Sequence, residues 1–141
     1  MQPLKLPEFD YQIENNKILC LIRKKWITLI PEEWVRQHFI NLLITHLAYP
    51  KGLFKLEQTM SYFKNQKRSD IVVLDRDGKV FLLVECKAPS IRLDQKVLGQ
   101  VSAYNKVLDA RYLAITNGMN HFIWEKMEEG FNQIREFPNF N

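Results

Sequence analysis

Two short runs constrain this chain more than anything else in it: Ile71-Val72-Val73-Leu74 and Val80-Phe81-Leu82-Leu83-Val84, separated by Asp75-Arg76-Asp77-Gly78. Branched and aromatic side chains favour the extended backbone, so both runs read as strands. The Asp-Gly turn joins them as an antiparallel hairpin. Neither run alternates apolar with polar. A strand apolar at every position is covered on both faces, so the chain needs a central sheet with a layer on each side. That excludes an open sheet with one wet face and favours an α/β fold. The 141 residues, 46% hydrophobic and 12% aromatic, suffice for such a core in one domain.

The remaining elements fit that frame. Residues 11–14 and 17–22 predict a hairpin turning at Asn15-Asn16, since Asn tolerates the left-handed conformations of a tight turn. A helix is predicted from Pro31, with Glu32 and Glu33 at the positive end of its dipole, and it closes at Pro50 and Gly52. At about 100° per residue, Val35, Phe39, Leu42 and Leu43 share one arc, with His46 inside it. Glu32 projects from the middle of this apolar arc and Glu33 from its edge, where it is expected only to stabilise the helix start. Strands are predicted at 54–62, 69–74 and 80–86, a helix at 94–108, and strands at 112–116 and 121–124. The order is αβββαβ, a mixed central sheet flanked by helices. Over 1–141 as a single domain, 1–29 is an N-terminal hairpin extension, 30–126 the core and 127–141 a C-terminal tail. The tail's apolar residues, between 131 and 140, have no clear period.

Several classes drop out. No apolar run approaches the roughly 20 residues of a membrane helix. The start, MQPLKLPEFDYQIE, lacks the basic and apolar regions of a secretory signal, so a cytoplasmic protein without membrane contact is expected. Cys20 and Cys86 are expected to be reduced and buried, having no Cys or His neighbours at metal-site spacing. His38, His46 and His121 read as packing or surface residues. A net charge of +4 permits polyanion binding without establishing it.

Chemistry concentrates where charge returns after the apolar strand, at Glu85-Cys86-Lys87. Residues two apart on a strand point the same way, so Glu85 and Lys87 share a face and Cys86 projects opposite, into packing. In an antiparallel hairpin the start of the first strand lies beside the end of the second, which brings Asp70 toward Glu85. Two adjacent carboxylates repel unless a proton, a lysine or a hard divalent cation lies between them. Magnesium suits all-oxygen ligands and leaves positions open for phosphate oxygens. Lys87 would then orient or deprotonate the attacking water, or stabilise the transition state. Lys64, Lys67, Arg68 and Lys96 are candidates to hold phosphates near this cleft. The plainer reading makes Asp70 and Glu85 strand-end charges with Lys87 as their ion-pair partner.

Asp70, fourteen residues, then Glu85-Cys86-Lys87 after an apolar strand resembles the PD-(D/E)XK nuclease superfamily, with Ser69 where its signature proline stands. Glu-Glu-Trp-Val-Arg-Gln at 32–37, Glu-Cys-Lys-Ala-Pro at 85–89, Gln100-Val-Ser-Ala-Tyr104 with Asn105, and Thr116-Asn117-Gly118 further resemble the N-terminal nuclease region of the type I restriction enzyme R subunit. The resemblance spans roughly residues 30 to 124. It implies the restriction-endonuclease-like αβββαβ fold, with Mg2+ (Mn2+ as substitute) on Asp70, Glu85 and the Cys86 carbonyl. Glu32 would support a ligand water or second ion, and Gln100 and Tyr104, about 40° apart on one helix face, would help position the metal site and the DNA strand. The full restriction subunit continues into a helicase motor; this sequence has no P-loop and is not expected to translocate DNA by itself.

The expectation is therefore a magnesium-dependent deoxyribonuclease domain in restriction, defence or repair. DNA is its partner, in a homodimer or a larger assembly. The alternative is a catalytically silent nucleic-acid-binding or assembly module of the same fold.

Overall fold

The computed structural model describes residues 1–56, 71–96, 99 and 109–140. Most of the helix predicted at 94–108, and the strand predicted at 54–62 beyond its first residues, lie outside them.

The N-terminal segment forms a three-stranded antiparallel sheet: β1 (Ile13–Glu14), β2 (Lys17–Leu19) and β3 (Trp26–Thr28), in that order. Asn15 and Asn16, at φ 50° and 60°, make the expected turn. The hairpin gains a third strand because the chain reverses again at 20–25. Cys20 N–H donates to the Lys25 carbonyl at 2.9 Å, Lys24 N–H donates to that of Cys20 at 3.0 Å, and Lys24 has φ 56°. A turn written Arg-Lys-Lys carries none of the Gly, Pro or Asn that mark one in a sequence.

Helix α1 (Pro31–Asn41) starts where Pro31 predicts, and a π turn at Leu42–His46 continues it. The wider π turn rotates later side chains off the α-helical arc. His46 is consequently exposed rather than inside the apolar stripe. Val35, Phe39, Ile40 and Leu43 stay on that stripe, fully buried.

Beside α1 lies a six-stranded sheet in sequential order: β4 (Phe54–Lys55), β5 (Ile71–Leu74), β6 (Val80–Cys86), β7 (Tyr112–Thr116), β8 (His121–Lys126) and β9 (Phe131–Ile134). Among the described residues only β6 and β7 pair in parallel, so the sheet is mixed as predicted. The central strands are buried throughout and separate two apolar clusters. Ile71, Val73, Leu82, Val84, Cys86 and Ala114 face the α1 stripe, whereas Val72, Leu83, Leu113 and Ile115 form a second cluster with Ala110. Alternation along β6 thus sorts even positions to α1 and odd positions to the other face from Leu82 on.

The tail is part of this architecture. Its first half is β9, the sheet edge. Beyond it, Phe137 packs on Phe39 at 5.3 Å between ring centroids, Phe140 packs on Phe81 at 5.1 Å, and the Tyr49 hydroxyl donates to the Pro138 carbonyl at 2.5 Å. A segment that is half edge strand and half irregular has no single period to read. Both cysteines are free and buried, and among the described residues no helix is long and apolar enough to cross a membrane.

Candidate active site

The β6 strand delivers charge to the edge of the core. Glu85 is buried, and Lys87 Nζ stands 3.1 Å from its Oε1. Both residues fall on the odd-numbered face, the face of Leu83, Leu113 and Ile115. Cys86 faces the opposite cluster with its side chain in the core, so its thiol is out of reach of the Glu85 face and only its main chain can serve there.

The neighbouring backbone fixes this strand end. Glu85 pairs in register with Ile115 and Cys86 with Thr116. Lys87 N–H then donates to the Thr116 carbonyl at 2.8 Å, extending the parallel ladder past the last paired residues. In open α/β sheets the carboxyl ends of parallel strands are where ligands bind, and here the loops leaving both ends are tied together. Ile91 N–H closes a turn on the Ala88 carbonyl, and Asn117 Nδ2 donates to the Ile91 carbonyl at 2.8 Å. The Asn117 Oδ1 accepts the N–H groups of Met119 and Asn120. The spacing Thr116-Asn117-Gly118 reads as a simple hairpin turn, but Asn117 is buried and acts as a brace between two loops.

Thr116 and His121 extend that brace. Thr116 Oγ1 accepts Gly118 N–H at 2.9 Å and lies 2.6 Å from His121 Nδ1, while His121 Nε2 lies 3.3 Å from the Lys5 carbonyl. A carbonyl can only accept, so this arrangement assigns the ring proton to Nε2 and makes Thr116 the donor to Nδ1. Burial holds the His121 pKa below the usual histidine value, with the Lys5 carbonyl opposing that shift.

Helix α1 carries the second carboxylate pair, and Glu33 goes beyond the expectation for it. It is buried, and it accepts from Arg36 Nε at 2.9 Å and from Gln37 Nε2 at 2.7 Å on Oε2, with Arg36 Nη2 2.9 Å from Oε1. Gln37 Oε1 in turn accepts the Leu21 N–H at 2.9 Å. Glu33 stands in the first turn of α1 as expected, and it is also the centre of a buried network that ties α1 to the 20–25 turn. The i, i+3 and i, i+4 spacing of Glu33, Arg36 and Gln37 is the signal that reveals it.

Glu32 is also buried, in the first turn of α1, and α1 packs on the Cys86 face of the sheet rather than on the face of Glu85. Lys96 is exposed. Asp70, Gln100, Tyr104, Lys64, Lys67 and Arg68 lie outside the described residues. The last described pair of the β5–β6 ladder is Ile71 opposite Val84, one residue short of Glu85. The donors here suit a hard divalent cation, a carboxylate and a main-chain carbonyl being oxygen ligands. Among the described residues, no three His, Cys, Asp or Glu side chains converge as a metal-binding group.

The family described as type I restriction enzyme R protein N terminus (HSDR_N) matches residues 31–138. The chain belongs to this family. The match begins at Pro31, the first residue of α1, and ends at Pro138, whose carbonyl Tyr49 holds. The family thus takes in the six-stranded sheet and its docked tail, while the N-terminal three-stranded sheet lies outside it. No curated protein and no solved structure matches the chain.

Proposed function

We propose that this chain is a metal-dependent DNA endonuclease domain of the PD-(D/E)XK type, hydrolysing phosphodiester bonds in a restriction or defence system. The observation that carries the reading is the buried Glu85 carboxylate with the Lys87 ammonium 3.1 Å away, at the carboxyl end of β6 beside its parallel neighbour. Family membership supports it, being a family of restriction-enzyme R proteins. Chain connectivity supports it too. Asp70 precedes Ile71 in the sequence, and Ile71 pairs with Val84, the residue before Glu85.

In this reading Asp70, Glu85 and the Cys86 carbonyl hold Mg2+, for which Mn2+ substitutes. When bound, the ion neutralises phosphate charge and acidifies a water. Glu85, held in a low-dielectric strand end, presents its oxygen in a fixed direction. Lys87, beside Glu85, orients or deprotonates the attacking water, or stabilises negative charge developing on the phosphate. Glu32 steadies a ligand water or second ion. Gln100 and Tyr104 guide the strand, and Lys64, Lys67, Arg68 and Lys96 contact phosphates.

The test is cleavage of supercoiled plasmid and labelled single-stranded DNA, with Mg2+ or Mn2+ against chelator, for wild type, Lys87→Ala and Asp70→Ala. Metal-dependent cutting that falls by at least about 100-fold in both variants is expected. A folded wild-type protein that binds DNA but never cuts with either metal overturns the enzymatic reading and leaves a binding or assembly module.

A further inference from the structure

The turn at 20–25 gathers positive charge on the part of the chain that the family match does not reach. Arg23, Lys24 and Lys25 are consecutive, and Trp26, the first residue of β3, follows them. Trp26 is 43% exposed, whereas Trp34 is buried at 4%. An indole left in solvent beside three cations is a feature that packing does not require.

Two clefts flank this turn. One, of about 300 Å³, is lined by Arg23, Lys25, Trp26, Thr28 and Ile30, and reaches Glu33, whose carboxylate is engaged by Arg36. The other, of about 240 Å³, brings Lys24 and Lys51 together with Thr45, Asn41 and Asp10. Lys51 opens the 3-10 turn at Lys51–Leu53, and it shares this cleft with Lys24, whose φ is 56°. Desolvation and the neighbouring Lys24 charge lower the Lys51 pKa. Two ammonium groups sharing a cleft with one carboxylate leave an excess of positive charge, which a phosphate would neutralise.

Register completes the arrangement. Trp26 is opposite Leu19 and Thr28 opposite Lys17, so Trp26, Thr28 and Lys17 share the outer face of the small sheet, while Ile18 and Ile27 take the inner one. Lys17 and Trp26 also line a third shallow cleft. An aromatic platform with basic residues along its edges is the chemistry that binds unpaired nucleic acid: bases stack, phosphates meet cations, and no sequence is read.

We propose that the N-terminal sheet is a second nucleic-acid contact, in which Trp26 stacks on a base of an unpaired DNA strand and Lys24, Lys25 and Lys51 hold its phosphates. The choice of DNA as ligand rests on the nuclease reading. The contact itself uses none of Asp70, Glu85 or Lys87.

The test is binding of oligo(dT) to the full chain in chelator, where no cleavage occurs, followed by tryptophan fluorescence and repeated over a salt series. Quenching on titration, abolished in Trp26→Phe, is expected. Trp26→Ala weakens binding by roughly 5- to 150-fold. Lys24→Ala, Lys25→Ala and Lys51→Ala together lower the slope of log affinity against log salt by about 2, at about 0.7 per neutralised phosphate. Lys87→Ala retains the full quench, so loss of cutting and loss of this contact are separate results. Single-stranded RNA of equal length binding as well as DNA supports an unpaired-strand site. Affinity unchanged in the triple lysine variant, tighter binding to duplex than to single strand, or no binding to any of the three overturns the proposal.

Discussion

Replacing Glu33 tests whether α1 is held by charge or by packing. Arg36 is fully buried, and Glu33 meets its guanidinium through both carboxylate oxygens, at 2.9 Å each. Glu33→Gln keeps the size and one acceptor but leaves the guanidinium without its counter-charge in a low-dielectric site. Breaking one side of a buried pair costs about 3–5 kcal/mol. Arg36 makes further interactions, which places the loss near the lower figure. At about 4 °C per kcal/mol for a domain of this size, the midpoint falls by roughly 12 °C. Removing both charges, as Glu33→Met with Arg36→Met, eliminates the desolvation penalty along with the attraction. It forfeits the hydrogen bond from Gln37, about 1 kcal/mol, and the further interactions of Arg36. The double variant is expected to be more stable than Glu33→Gln, because replacing both members of a buried pair avoids the uncompensated charge that breaking it leaves. The assay is thermal unfolding of wild type, Glu33→Gln, Glu33→Met, Arg36→Met and the double variant, with urea slopes compared to confirm a common unfolded state. A Glu33→Gln midpoint within about 3 °C of wild type, or a double variant no better than the singles, refutes the claim that this network is the anchor.

Three further outcomes follow from packing and protonation. Gly118→Ala loses about 1–3 kcal/mol, because Gly118 has φ +85° and a Cβ there meets Leu4 Cδ2 at 2.7 Å and Val35 Cγ2 at 3.2 Å; thermal melts check it, and adding Leu4→Ala recovers only the Leu4 share. Burial lowers the pKa of both His38 and His121 below the ordinary 6.5, so the unfolded chain binds protons before the folded one. Stability is then complete above that value and is lost as pH falls through 6.5 toward the folded-state values, a slope that His38→Gln with His121→Gln flattens in urea titrations at stepped pH. Tyr49→Phe removes the donor to the Pro138 carbonyl and costs about 1–2 kcal/mol, with faster proteolysis of the C-terminal segment as the readout.

What the sequence makes legible depends on whether a residue acts within its own element or across elements. The apolar runs at 71–74 and 80–84 announce central strands because each position has to be buried, and they are central strands. Glu85 and Lys87 share a face because a strand alternates, a rule that needs no partner. Glu33 misleads because its place in the first turn explains it well enough as a dipole residue, although its spacing to Arg36 and Gln37 carries the signal of the network, which Gln37 extends to Leu21. The same holds for Asn117, whose Asn-Gly context signals a turn while its amide reaches back to Ile91. The turn at 20–25 escapes because strained Lys24 is stabilised by hydrogen bonds between Cys20 and Lys25 rather than by a residue type suited to it. The tail escapes because Phe137 and Phe140 bind partners scattered over α1, β6 and Tyr49.

These cross-element contacts converge on one mechanical consequence. The carboxyl ends of β6 and β7 are joined by the Lys87–Thr116 hydrogen bond, and the loops beyond them by Asn117 to Ile91. Gly118 packs between Leu4 and Val35, and its carbonyl accepts the Lys5 N–H at 2.8 Å. The loop that braces the Glu85 strand end is thus clamped by the N-terminal segment and by α1, whose own setting depends on Glu33. A site built on the rigid ends of two strands needs such bracing, since displacing a catalytic group by about 1 Å can cost about 100-fold in rate. Shortening the N-terminus to remove Leu4 and Lys5 therefore loosens the 117–120 loop before it unfolds the sheet. Amide exchange at Gly118, Met119 and Asn120 is expected to rise while Val72, Leu83 and Leu113 stay protected. Equal loss of protection in both sets would show that the segment supports the whole fold and not the strand end.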